Sequence, residues 1–192
     1  MQALDLLLNR ASVAPRLHAE PAPSDSELNQ ILAAACRAPD HGRLRPWRFI
    51  VIRGDARAKL GEVFADALKK RDPNAPQATL DKELNRPLRS PLIVAVIATA
   101  QKDHPKIPEV EQIVSAGAAA HAMVLAAQAM GYGGMLLTGT NAYDETVKAA
   151  LGVAPSETII SYAYFGTPTA PMPDAPRPKP ADLTQEWTGP VV

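Results

Sequence analysis

A chain of 192 residues with 46% hydrophobic and 21% charged content is long enough to bury one sizeable core, and no internal repeat divides it. Twenty basic side chains stand against twenty acidic ones, so nucleic-acid binding has no electrostatic footprint. One cysteine excludes an internal disulfide, and the opening MQALDLLLNR, with Asp5 in a short apolar stretch, does not read as a secretory signal; a reducing cytoplasm is the expected setting.

Leu4, Leu7 and Leu8 share one side of an opening helix over Ala3 to Asn9, and RASVAPRL then interrupts it with Pro15, exposing Arg10 and Ser12. Ser24 and Glu27 have the spacing of a capping box. Leu28, Ile31, Leu32 and Ala35 follow at helical period, so a second helix ends near Arg37 before Pro39. Cys36 reads as a buried filler rather than a reactive thiol. A polar loop, Asp40 to Pro46, leads into WRFIVIR, whose β-branched and aromatic content predicts the first strand. Leu60, Val63, Phe64, Ala67 and Leu68 predict an amphipathic helix, which RDPNAP ends before a more charged helical segment around Leu80 and Leu84. PLIVAVIATA, from Pro91 to Ala100, predicts a central strand buried on both faces.

The chain is organised around Pro108 to Gly139. Pro108 suits a first helical turn, Glu109 and Glu111 complement the positive end of the helix dipole, and Gly131 can close the helix left-handed, for roughly 33 Å of helix. No charged side chain occurs from Ile113 to Leu137, and the apolar residues surround the whole circumference, so every face is expected to be buried. A membrane span shares these traits, but alanine, glycine and the GYGG break disfavour one. His121 is expected as a hydrogen-bonded core histidine. Met135 to Leu137 predicts the third strand, Asp144 caps a helix that Gly152 ends, and Thr158 to Phe165 predicts the fourth strand. The irregular alternation of strands and helices favours an α+β fold. From Thr167 onward, Pro168, Pro171, Pro173, Pro176, Pro178 and Pro180 predict an extended arm, whose Trp187 either packs on its own domain or reaches across a dimer.

HExxH, CxxC, GxSxG and Walker-type loops are absent, and the four histidines are not spaced as metal ligands, so neither a metal nor a side-chain nucleophile is expected. GYGG follows a helix and precedes a strand, the reverse of a dinucleotide fingerprint. What remains is a series of cations at element boundaries: Arg10 beside Ser12, then Arg37, His41, Arg43 and Arg45, then Arg177 and Lys179.

In order along the chain, Arg10-Ala11-Ser12, APDHGRLRPW at Ala38 to Trp47, the SAG at Ser115 to Gly117, GYGGMLLTG, YAYFGTP from Tyr162 and the closing RPKPADLTQEW resemble the FMN-dependent nitroreductase family, and most of all its compact YdjA-like NAD(P)H nitroreductases. The resemblance implies an α+β sandwich with a central, mostly antiparallel sheet and a long buried central helix. It implies one FMN-binding domain over residues 1–192, whose arm, 167–192, is exchanged across a homodimer with FMN at the interface. Arg10, Ala11 and Ser12 match positions near the FMN phosphate and ribityl chain, and Arg37 and His41 match positions that reach the flavin from the second subunit. Leu136, Leu137 and Thr138 match the strand end that borders the isoalloxazine ring, through backbone amides. Ala126, Ala127, Gln128, Ala129, Met130 and Gly131 match a segment assigned to the nicotinamide dinucleotide.

Close relatives carry arginine where this chain has Ala11 and Leu137, so two cations are missing there, and Arg177 or Lys179 is the expected replacement. Asp40, Arg43 and Arg45 stand where the wider family has Ser, Asn and Gln. The activity implied is hydride transfer from NAD(P)H through flavin N5 to an electron-poor small molecule, such as a nitroaromatic or quinone, by a ping-pong sequence without a catalytic side chain. Arg37 is the first candidate for a cation that favours flavin reduction. A flavin carrier or redox sensor without turnover is the alternative.

Overall fold

Five antiparallel strands, β1 (His18–Ala19), β2 (Trp47–Arg53), β3 (Leu92–Ala98), β4 (Gly133–Leu137) and β5 (Thr158–Pro168), form one sheet in the order β1-β5-β3-β2, with β4 also paired to β5. The structure, a computed structural model, describes residues 2–171, 174 and 176–190. β5 joins the sheet because its 11 residues outrun each partner: Thr158 to Phe165 pair with β3, Tyr162 to Gly166 pair with β4 on the other side, and Thr167 and Pro168 pair with β1. β1 was not expected from the sequence, since two residues carry no period.

β3 is buried at every position, as its unbroken apolar run predicts. Its alternate side chains feed two cores. Leu92, Val94 and Val96 pack with α2 (Asp25–Ala35) and α5 (Glu109–Ala129), whereas Ile93, Ala95 and Ile97 pack with α3 (Ala56–Arg71) and α6 (Glu145–Ala150). The sheet is therefore covered on both faces. α4 (Gln77–Asn85) lies on α3 so closely that a Cβ on Gly61 would stand 2.1 Å from the Leu84 carbonyl oxygen. α1 (Ala3–Leu8) buries no residue.

The helix ends follow the local chemistry of the sequence. The Ser24 hydroxyl accepts from Glu27 N–H at 3.3 Å while the Glu27 carboxylate accepts from Ser24 N–H at 2.9 Å, completing the capping box. Gly131, at φ +89°, closes α5: Tyr132 N–H donates to the Ala127 carbonyl and Gly131 N–H to that of Gln128. The Asp144 carboxylate accepts from Thr146 and Val147 N–H and starts α6.

Three expectations about burial are corrected. α5 is not covered all round: Val110 and Val114 are 63% and 65% exposed, His121 and Ala129 are exposed, and a Cβ on Gly117 would meet nothing within 4 Å. With Gly117, Ala118, Ala122 and Leu125 half-buried between them, these positions form one stripe along the helix. His121 is thus a surface histidine on that stripe and not a core one. Cys36 is exposed because α2 stops one residue before it. Trp187, 77% exposed, does not pack on its own domain; the arm is tied back instead where Arg177 Nη2 donates to the Arg10 carbonyl at 2.8 Å. Pro173, expected within the arm, lies outside the described residues.

Candidate cofactor site

Arg10, Ala11 and Ser12 form the link between α1 and the sheet, and α5 holds that link from below. The buried Gln128 amide donates to the Asn9 carbonyl at 3.2 Å and accepts from Ala11 N–H at 3.3 Å. Ala11 is buried, while Arg10 Nη1 reaches the Ser12 hydroxyl at 3.2 Å. Of the segment Ala126 to Gly131, Ala127 and Gln128 are buried and only Ala129 and Gly131 are exposed. Gln128 therefore acts on the site through the backbone of residues 9 to 11.

Two residues further on, Val13 N–H donates to the Gly134 carbonyl at 3.2 Å. That carbonyl is turned away from β5. Residues two apart in an antiparallel strand turn the same way, so Leu136 presents its N–H and C=O on the open edge of β4. Beside this edge lies a cleft of about 490 Å³ lined by Ala14, Pro15, Arg16, Arg86, Arg89, Met135, Leu137, Thr138 and Gly139. Three arginines line it, and Arg86 Nη1 lies beside Gly139 just past the end of β4. Among the described residues the only ion pair they make is that of Arg86 with Glu83, so Arg16 and Arg89 have no carboxylate partner. Nothing local in the sequence marks these three arginines. Each sits in or beside a proline-initiated 3-10 turn (Pro15–Leu17 and Pro87–Arg89), and only the fold brings the two turns together.

Arg37 and His41 are elsewhere. Arg37 follows α2, and His41 begins a 3-10 turn whose ring Nδ1 lies 2.7 Å from the Glu111 carboxylate at the N-terminal end of α5. The neighbouring loop is pinned by Asp40, whose two carboxylate oxygens accept from Leu44 N–H at 3.2 Å and Arg45 N–H at 2.7 Å. Arg43 and Arg45 are held there at φ +57° and +50°, a left-handed backbone uncommon for such residues. Along α5, Glu111 and Gln128 are separated by roughly 26 Å, so a single chain does not bring Arg37 and His41 to Arg10, Ser12 and Leu136 to Thr138.

A layered α+β sheet with an arginine-lined cleft at an open strand edge is an arrangement suited to an anionic, partly apolar ligand. The sequence profile of the Nitroreductase family matches residues 7–167, and the chain belongs to that family. It is 41% identical over 168 residues to YdjA of Escherichia coli K12, provisionally named as an NAD(P)H nitroreductase, a match covering 88% of this chain and 89% of the relative. Among solved structures, a nitroreductase-like family protein from Bacillus cereus superposes with a TM-score of 0.83 at 19% identity, over 98% of this chain and 97% of that one. A protein from Desulfovibrio desulfuricans, provisionally named as a nitroreductase and solved in complex with FMN, gives 0.72 at 25% identity over 97% of both chains. The chain is an oxidoreductase of this family.

Proposed function

We propose that the protein is an FMN-dependent NAD(P)H oxidoreductase of the nitroreductase or quinone-reductase type, one domain per chain, acting as a homodimer. The cleft at the end of β4 carries this reading. Arg16, Arg86 and Arg89 suit the charged and polar edges of a flavin nucleotide, the open-edge N–H and C=O of Leu136 suit its hydrogen-bonding edge, and Met135 and Leu137 offer an apolar surface to the ring. These arginines also stand in for the cations missing at Ala11 and Leu137, a role expected of Arg177 or Lys179. FMN held by these residues would supply the redox chemistry, hydride transfer between NAD(P)H and an electron-poor small molecule in a ping-pong sequence.

The chain's own residues bind and orient. Arg10 and Ser12, held from beneath by Gln128, donate to the phosphate and ribityl end, and Thr138 borders the ring. Ala129 and Gly131, the exposed members of Ala126 to Gly131, are the ones placed to meet the dinucleotide donor. Exposed Cys36 suits a reducing cytoplasm.

The exposed stripe of α5 supports the dimer. An isologous contact through that stripe, with its two-fold axis crossing the helix near Gly117, Ala118 and Ala122, whose small size allows close approach, runs the two helices antiparallel. The Glu111 end of one chain then meets the Gln128 end of the other. That carries Arg37 and His41 of one subunit to the cleft of its partner, and gives the exposed leucines of α1 and Trp187 of the arm a surface to cover.

The test is anaerobic. Protein saturated with FMN and freed of excess is expected to keep its flavin and to bleach on addition of NADH or NADPH. Retained flavin that stays oxidised would make the protein a carrier or sensor, and no retained flavin would remove the reading.

A further inference from the structure

We infer that Glu83 is a positioning residue of this cleft: its buried carboxylate fixes the Arg86 guanidinium and sets how much of its positive charge a bound flavin meets. The inference rests on the reading that FMN occupies the cleft.

α4 buries one residue, and that residue is the charged Glu83, 8% exposed. A carboxylate taken out of water on an otherwise solvated helix needs full compensation. One oxygen accepts from Asn141 Nδ2 at 2.6 Å, and the other pairs with Arg86 Nη2. Asn141 is itself buried and fixed: its side-chain oxygen accepts from Arg71 Nη2 at 3.2 Å, and its carbonyl accepts from the Tyr162 hydroxyl at 3.4 Å. Arg71 pairs in turn with Asp144, the cap of α6. Burial opposes ionisation of Asp144, but Arg71 and the helix amides outweigh it and hold its carboxyl below the ordinary range. Glu83 is thus tied through Asn141 to α3 and β5, and through Arg71 to the cap of α6.

Arg86 is held from one side only. Its Nε is buried without a partner, its Nη2 is engaged by Glu83, and its Nη1 faces Gly139, where an added Cβ would stand 3.9 Å away. A purely structural arginine would use these donors inside the protein. Here the free Nη1 lies beside Gly139 on the wall of the cleft, and the carboxylate behind the guanidinium tempers its charge. Buried ion pairs of this kind seldom stabilise a fold more than apolar packing does, so its placement at the cleft calls for a reason other than stability.

The experiment poises FMN-loaded wild type, Glu83→Gln, Arg86→Gln and the double variant against a reference dye and reads the ratio of reduced to oxidised flavin. Glu83→Gln keeps the shape of the side chain and removes the charge that offsets Arg86, so the ratio is expected to rise about tenfold, about 30 mV for a two-electron couple. The rise is expected to vanish in the Arg86→Gln background. No rise, or an equal rise with and without Arg86, would overturn the inference. Should Glu83→Gln fail to fold, Glu83→Asp, which draws the carboxylate back from Arg86, is expected to move the ratio in the same direction, and an unmoved ratio would overturn the inference equally. Wild-type protein that takes up no FMN would overturn the cofactor reading, and the inference with it, before any variant is compared.

Discussion

Gln128 shows how a residue can matter to a site without facing it, since both ends of its amide are engaged by the backbone of Asn9 and Ala11. This brace fixes the backbone on either side of Arg10. Replacing Arg10 by Ala removes one charge-assisted contact, so FMN affinity is expected to fall tenfold to a hundredfold, roughly 1.5–3 kcal/mol, by fluorescence titration. Unchanged affinity would count against the transferred position. Arg10 and Ser12 were legible because they break a helix at a proline. Arg16, Arg86 and Arg89 were not, because each alone is an ordinary surface arginine and their convergence is a property of the fold.

His18 carries a different residue-scale consequence. Its Nδ1 lies 2.6 Å from the Ser90 hydroxyl and its Nε2 is buried without a partner; burial pushes the imidazole down to about 4. The folded state therefore holds it neutral while the unfolded chain takes up a proton near pH 6.5. Its contribution is fully present above that pH and is lost as pH falls towards 4. Discounted for partial exposure, about 1–2 kcal/mol is at stake, or roughly 2–8 °C of Tm. Thermal melts of wild type are expected to show that fall between pH 7 and 4.5, and His18→Gln to flatten it. Parallel curves would mean that His18 does not titrate with unfolding.

At the scale of elements, the sequence marks where a helix ends better than which side it buries. Pro108, Glu109, Glu111 and Gly131 act within one turn, so both ends of α5 were readable. Its faces were not, because alanine and glycine fit a core, a surface or an interface alike. The exposed stripe from Val110 to Ala129 is the outcome. Val114 is exposed in the single chain, so Val114→Lys is expected to change its stability by no more than about 0.5 kcal/mol. In the dimer the same lysine lies in the contact. Light scattering is expected to show a folded monomer that no longer retains FMN; a dimer that binds normally would move the interface elsewhere. The apolar run of β3 and the capping box of α2 were read correctly for the same local reason as the ends of α5, whereas β1 exists only because β5 runs past β4 to meet it.

For the whole molecule, the decisive fact is that the candidate residues fall into two groups at opposite ends of α5. On the proposed dimer, each group is half a site. Arg10, Ser12, Arg86 and the end of β4 lie at one end, and Arg37, His41 and Glu111 lie at the other. Mixing two defective proteins tests this division most directly: one carries Arg10→Ala with Arg86→Gln, the other Arg37→Ala with His41→Ala, and the pair is dissociated and reassociated before bound FMN is measured. If each site is built from two chains, every mixed dimer has one intact site, and random reassociation restores about a quarter of wild-type FMN binding. If each site lies within one chain, every site keeps a defect and no binding returns, which would contradict the account.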